Sequence, residues 1–310
     1  MMKEDPLGEV AVGIDAGGTA TRAIAVTASG EVVGRGEAGG GNPNSHPPAV
    51  AAANISTAVA AALGTNTALT CVLGMAGASA LSDPAVAEVF RVALAEAGID
   101  RVDVMTDAEV AFAAGTPEPT GTVLIAGTGS IAMRIEDHRH AATVGGFGWL
   151  LGDEGSAFWL GREAVRITVR EIQAGGELGP LAAAVLDLAV GPTNTPFNHL
   201  IRSVNADPPI HLARFAPLVS AHVDDPAAAE IIDHAARILA DQALAAWSGG
   251  PIVLVGTVAS GDTPVGSRLR EFLSDHEVRV AKDGVAGAAW LAAREAFGPM
   301  APHPSSARVP

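Results

Sequence analysis

Cysteine is nearly absent from this chain: its 310 residues include one, Cys71. A single thiol cannot close an internal disulfide, which fits a reducing compartment. It cannot build a cysteine-rich zinc motif either. Basic side chains are scarce as well. Lys and Arg number 19 against 34 Asp and Glu, a formal net charge of −15. That balance disfavours a general nucleic-acid surface or an anionic membrane as partner. A protein this acidic that binds phosphate must rely on backbone amides and a divalent cation, not on a basic patch. No apolar run is both long enough and free enough of Gly, Pro and charge to span a bilayer. The opening Met1-Met2-Lys3-Glu4-Asp5 lacks the apolar region of a signal peptide, so a cytoplasmic setting is expected. No Gly-x-x-x-x-Gly-Lys-Ser/Thr loop occurs, which excludes a P-loop enzyme. Low-complexity tracts and short-period repeats are also missing.

What the chain does have is apolar residues and glycine. Hydrophobic residues make up 48% and mean hydropathy is +0.31, enough for buried cores although much of it is alanine. The length predicts about two domains. Two glycine loops stand out. Gly13-Ile14-Asp15-Ala16-Gly17-Gly18-Thr19 ends one apolar run, and Gly127-Thr128-Gly129-Ser130 ends another, Thr122 to Ala126. Each is followed by a second strand-like run, Ala20–Val26 and Ile131–Ile135. Glycine permits positive φ and lets backbone N–H groups approach an anion closely. Two such hairpins look like the two jaws of a phosphate clamp.

The patterning predicts strands at Val10–Ile14, Ala23–Thr27 and from Glu31, then a glycine-rich loop over Gly39–Ser45. A helix over Pro48–Leu63, a strand over Leu69–Met75, a helix over Pro84–Ala97 and a strand over Arg101–Met105 follow. This βββαβα order predicts a mixed sheet flanked by helices. Thr116-Pro117-Glu118-Pro119-Thr120-Gly121 reads as a linker. Beyond it, long helices are expected over Ala157–Gln173 and from Asp225 to Trp247, with a strand at Pro251–Val255 and a last helix over Ala286–Phe297. Gly191–Pro209 reads as a surface loop or insertion, and Pro299–Pro310 as a frayed tail. His138-x-His140 reads as a solvated turn, with no further ligand at metal spacing. Trp159 and Trp290 fall on apolar helix faces and read as core. His211 has no assigned role.

Five motifs occur in order: Gly13 to Thr19; Thr106-Asp107-Ala108; Gly127 to Ser130; Gly145-Gly146-Phe147-Gly148 with Gly152-Asp153-Glu154-Gly155-Ser156; and Gly256-Thr257-Val258. Together they resemble the N-acetylglucosamine kinase and BadF/BadG-type ATPase branch of the actin-like, sugar-kinase and Hsp70 superfamily. The match runs from about Val10 to Phe297 and is weakest between Gly175 and Pro217. The resemblance implies an α/β fold of two actin-like (ribonuclease H-like) lobes with a central inter-lobe cleft. Lobe one would be 1–115 plus 285–310, and lobe two 116–284. It also implies a homodimer using Mg²⁺ and ATP, with an amino sugar as acceptor. Free glucosamine at its 6-hydroxyl is the expected substrate, because its ammonium suits the acidic Asp153-Glu154 pair. N-acetylglucosamine is the alternative. An ATPase that activates an iron–sulfur dehydratase is more distant, because Cys71 alone cannot bridge a cluster.

Residue roles follow. Asp15, at a strand end, would hold Mg²⁺ through water. Gly17, Gly18 and Thr19 from one loop, and Thr128, Gly129 and Ser130 from the other, would offer amides and hydroxyls to the phosphates. Asp107 would be the general base for a sugar hydroxyl. Thr106-x-x-Glu109 also fits a capping box, which would fix that base in place. Asp153 and Glu154 would accept hydrogen bonds from vicinal sugar hydroxyls, and Gly145 and Gly146 would let backbone approach the ring. Asn42 would read a sugar hydroxyl, with Asn44 the alternative. Either Phe147 or Trp149 would border the sugar. Gly256 and Thr257 would lie beside adenosine, or simply end a strand.

Overall fold

A computed structural model describes residues 8–282 and 284–304. The chain divides into two compact units. The first comprises residues up to Thr120, with Ile135–His140 and the chain from Ala281 onward; the second comprises Gly121–Arg134 and Ala141–Val280.

The first unit holds a five-stranded mixed sheet in the order β3-β2-β1-β4-β5. Its strands are β1 (Glu9–Ala16), β2 (Ala20–Val26), β3 (Val32–Gly39), β4 (Thr67–Met75) and β5 (Val102–Thr106). β1 pairs antiparallel with β2 and parallel with β4, so it is central and almost wholly buried. Its alternation sorts side chains by size. Val10, Val12 and Ile14 join a core with α1 (Pro48–Leu63) and α2 (Pro84–Glu96). Ala11 and Gly13 turn to the opposite face, against α11 (Val285–Phe297). Small residues there let the helix approach to backbone contact. A Cβ on Gly13 would collide with the backbone of Ala289, and one on Gly287 with the backbone of α3 (Asp107–Gly115). On the other face Gly34 and Gly36 of β3 likewise run beneath the carbonyls of Ala62 and Ala58. The high alanine and glycine content is thus the material of close helix-on-sheet packing.

The second unit carries the sheet β10-β9-β6-β7-β8. These strands are β6 (Gly121–Ala126), β7 (Ser130–Glu136), β8 (Arg139–Gly145), β9 (Ile252–Val255) and β10 (Val278–Val280). A single core built on Leu124, Trp159, Phe215, Leu239 and Leu254 joins the sheet to its helices. They are α4 (Gly148–Leu151), α5 (Ala157–Ala174), α6 (Pro180–Val190), α7 (Pro196–Ala206), α8 (Ala216–Ala221), α9 (Pro226–Ala246) and α10 (Pro264–Phe272). Both sheets are mixed and helix-flanked, as the α/β reading requires. Trp159 and Trp290 are buried, as expected.

Three expectations are corrected. The segment 191–209, read as a loop, contains α7; its flanking prolines and many polar residues mask an amphipathic helix of which only Leu200 is fully buried. The tail from Pro299 is held at least through Pro304: His303 is buried, its ring against Trp290 and its Nε2 2.7 Å from the Ala113 carbonyl. The rest of the predicted tail, 305–310, lies outside the described residues. His138 is not solvated but buried, edge-on to Trp290 with ring centroids 5.3 Å apart. The Arg294 guanidinium donates to its Nε2 at 2.6 Å. Burial and that neighbouring cation push its pKa down to about 4. Among the described residues no helix is long and apolar enough to cross a membrane.

Candidate active site

In the first unit, register brings two expected residues, Asp15 and Asp107, to one end of the sheet. Ala16, Met75 and Thr106 lie side by side across the parallel strands β1, β4 and β5. Asp15 therefore precedes, and Asp107 follows, the same row. The loop after β3 folds onto this end: the N–H groups of Gly41 and Asn42 donate to the Gly17 carbonyl at 3.0 and 3.2 Å. Asn42 Oδ1 accepts from the Asn44 N–H at 2.8 Å. Both asparagines cover Gly77, just past β4, whose φ of +78° and lack of a side chain make the approach possible. His46 reaches the Gly18 carbonyl at 2.7 Å. Gly17 closes its own turn by donating to Ala20, and Thr19 is exposed at the tip. Gly77 and His46 lie outside the motifs that sequence reasoning picked out. The run Gly74-Met75-Ala76-Gly77 at a strand end was the available signal for the first.

Asp15 is half-buried, and its Oδ2 accepts from the Gly284 N–H at 3.1 Å, just ahead of α11. A single protein carboxylate is enough for Mg²⁺, which keeps several waters and takes its remaining ligands from phosphate. Among the described residues no group of three or more His, Cys, Asp or Glu could hold a metal without such help.

Asp107 opens α3, and its Oδ1 accepts the Ala108 N–H at 3.0 Å. Burial raises its carboxyl pKa above the usual value, and the Glu109 charge adds to that. The capping box is formed. The Thr106 hydroxyl accepts from the Glu109 N–H at 3.2 Å, and Glu109 Oε2 accepts from the Thr106 N–H at 2.5 Å.

In the second unit, β6 and β9 run parallel with Ile125 opposite Val255, so the loops after them leave one edge. Val258 and Ala259 donate N–H groups to the Ala126 carbonyl at 3.0 and 3.3 Å. Gly256 has φ +88°, and a Cβ there would lie 2.5 Å from that same carbonyl oxygen. Its glycine is thus required by its own strand end. Thr128 and Thr257 both line a cavity of about 460 Å³ with Leu160, Ala216, Pro217 and Val265. The part contributed by Ala213 to Ser220 was invisible in the sequence, where this stretch matched no motif. His211, nearby, is exposed.

The Gly127–Ser130 loop is locked by the start of α5. Ala157 and Phe158 donate to the carbonyls of Gly127 and Thr128 at 2.8 and 3.2 Å. Both donors of Ser130 are engaged: its N–H by Asp153 Oδ1 at 3.1 Å, its hydroxyl by the Glu154 carbonyl at 2.8 Å. Asp153, expected at a sugar, lies with its carboxylate against Gly129, while the Glu154 side chain is exposed. Gly145 and Gly146 take φ of +77° and +70° and abut Gln242 and Ile131. Beyond them Phe147, Leu150 and Leu151 are 68, 73 and 78% exposed, and Trp149 meets Phe158 edge-on.

Known proteins can be set beside this geometry. An N-acetylmuramic acid/N-acetylglucosamine kinase of Clostridium acetobutylicum is 33% identical over 115 residues, 37% of either chain. An N-acetyl-D-glucosamine kinase of Dictyostelium discoideum is 29% identical over 185 residues, 56% of this chain and 57% of that one. The matched part thus spans about a third to just over half the length of these curated relatives. In fold, the chain is similar to a provisionally named N-acetylglucosamine kinase of Chromobacterium violaceum, with TM-score 0.70 and 24% identity over 93% of this chain and all of that one. A ROK family glucokinase of Streptomyces griseus, solved with glucose and AMPPNP, gives TM-score 0.56 and 20% identity, with 91% and 98% covered. The sequence profile of one family matches residues 12–292, nearly the full length: this chain belongs to the BadF/BadG/BcrA/BcrD ATPase family.

Proposed function

We propose that the protein is an ATP-dependent amino-sugar kinase that phosphorylates the 6-hydroxyl of N-acetylglucosamine. The observation that carries this reading is the row Ala16–Met75–Thr106, which brings Asp15 and the half-buried Asp107 to one end of the sheet, with Asn42 on the loop folded onto it. Relatives named as kinases of N-acetylated sugars support it. Glucosamine is the second acceptor. The electrostatic case for it weakens because Asp153 already accepts a hydrogen bond from Ser130, leaving less of the acid pair to meet an ammonium.

In this reading the 6-hydroxyl lies against Asp107, which takes its proton as the oxygen bonds to the γ-phosphorus and the bond to the β–γ bridging oxygen breaks, releasing ADP. Asn42 orients the sugar. Amides of Gly18, Thr128 and Gly129, with the Thr19 and Thr128 hydroxyls, hold the phosphates; Gly17, whose amide is engaged by Ala20, shapes the turn, and Ser130 secures its loop from behind. Gly145, Gly146 and Glu154 face the sugar, with Asp153 bridging to the phosphate loop. Adenosine enters the cavity beside Gly256 and Thr257. Mg²⁺ held by Asp15 would neutralise charge on the phosphates. A cytoplasmic homodimer completes the reading, and sedimentation at several concentrations tests the dimer. The dehydratase-activator reading is disfavoured, because Cys71 is fully buried in β4 and cannot bridge a cluster.

The test is an acceptor screen following ADP release with N-acetylglucosamine and glucosamine, repeated on Asp107→Asn. Sugar-dependent ADP release that vanishes in the variant while ATP still binds is the expected result. Turnover of ATP independent of any sugar would overturn the proposal.

A further inference from the structure

Glu109 does more than a capping box asks of it. In that motif a glutamate turns back to one N–H at the helix start. Here the residue is 5% exposed, and its two oxygens reach in different directions. Oε2 accepts from the Thr106 N–H at 2.5 Å and from the Thr106 hydroxyl at 2.9 Å. Oε1 accepts from the His140 N–H at 2.8 Å, 31 residues along the chain. His140 belongs to the hairpin tip 135–140, which is itself anchored twice. Arg139 forms an ion pair with Asp103 of β5, and His138 is seated between Trp290 and Arg294 of α11. One buried carboxylate thereby ties the first turn of α3 to β5 and α11 through that tip.

Burying a carboxylate is costly unless hydrogen bonds replace its water, and a neutral cap would close the helix start at smaller cost. The position of Asp107 supplies a reason. It is two residues before Glu109 in the same turn, with its carboxylate set by the Ala108 N–H. Any shift of that turn moves the carboxylate. Resting on the reading of Asp107 as general base, we propose that Glu109 is a positioning residue. It fixes the first turn of α3 to the hairpin tip and so holds Asp107 in line with the acceptor hydroxyl.

Two variants break the link from opposite sides. Glu109→Gln keeps the shape, but its amide NH₂ must face one of the donors it now accepts from. His140→Pro removes the other donor and leaves the capping box untouched. Each should lower kcat by roughly 10- to 100-fold, the scale of a small displacement of a reacting group, with KM for ATP unchanged. In Glu109→Gln the acid limb of the pH–rate profile should also move to lower pH, because a negative neighbour of Asp107 is gone. A purely structural role would lower the melting temperature without this loss of kcat at unchanged KM. Melting temperatures identify any variant that fails to fold, and the other then carries the test. Wild-type kcat and acid limb in a folded variant, with Asp107→Asn inactive, would overturn the proposal. Full activity in Asp107→Asn would instead remove the base assignment.

Discussion

The Ser130 N–H donates to the Asp153 carboxylate across 23 residues of sequence, at 3.1 Å. The two expected ligand sites of the second unit, phosphate loop and sugar turn, are therefore one hydrogen-bonded structure. Asp153 sits at φ +56°, an unusual conformation for a residue with a side chain. Asp153→Ala should raise KM for ATP by about tenfold or more, the scale of a lost hydrogen bond to a charged group. Asp153→Asn, which keeps an acceptor, should lose less. Steady-state kinetics with each substrate varied in turn checks this; a defect confined to sugar KM would contradict it.

Burial holds the Asp107 carboxyl above the ordinary aspartate range, and Glu109 adds to the effect. In the proposed role Asp107 must be ionised to accept a proton, so kcat/KM should rise with pH through its titration. The acid limb should sit above the pKa of about 3.9 typical of a free aspartate. A profile of kcat/KM between mildly acidic and neutral pH locates it.

His138 gives the fold an acid sensitivity. Its pKa in the folded protein is about 4, against an ordinary 6.5. The folded state thus favours the neutral ring, and the unfolded chain binds the proton first. Stability should be intact above about pH 6.5 and fall as pH drops toward 4. His303, also lowered by burial, acts in the same direction. Urea unfolding across this range should show the loss, and His138→Phe should flatten it.

Gly256→Ala should destabilise the second unit. The residue is left-handed at φ +88° and its Cβ would press on the Ala126 carbonyl. Conformational strain alone is worth about 1–3 kcal/mol. Gly191→Ala, at φ +67° but with open space around it, separates strain from collision. Thermal melts of both variants should rank Gly256→Ala as the worse.

Local signals were legible where structure is local. Apolar runs ending in glycine marked β1, β4 and β6, and Thr106-x-x-Glu109 announced the start of α3. Asp15, Asn42 and Asp107 were each nameable from strand ends and loops. That Asp15 and Asp107 share one end of the sheet is a consequence of register, which one sequence does not print. The missed features depend on partners far along the chain. Polar turn residues gave no hint that His138 meets Trp290 and Arg294, more than 150 positions away. The lining of the cavity from Ala213 onward and the pairing of Ser130 with Asp153 likewise arise only when distant segments pack. α7 escaped because Gly191-Pro192-Thr193-Asn194-Thr195 ahead of it and its own low apolar content read as loop, although its few apolar residues share one face.

The lone thiol makes the chain a clean host for probes. Cys71 is fully buried in the middle of β4, and burial drives its thiol far from the reactive thiolate form. It should stay inert to maleimides and mild oxidants without being replaced. A cysteine introduced on an exposed loop would then be the single labelling position. A pair of them, one in each unit, would let spectroscopic rulers record how the separation of the units responds to nucleotide and sugar.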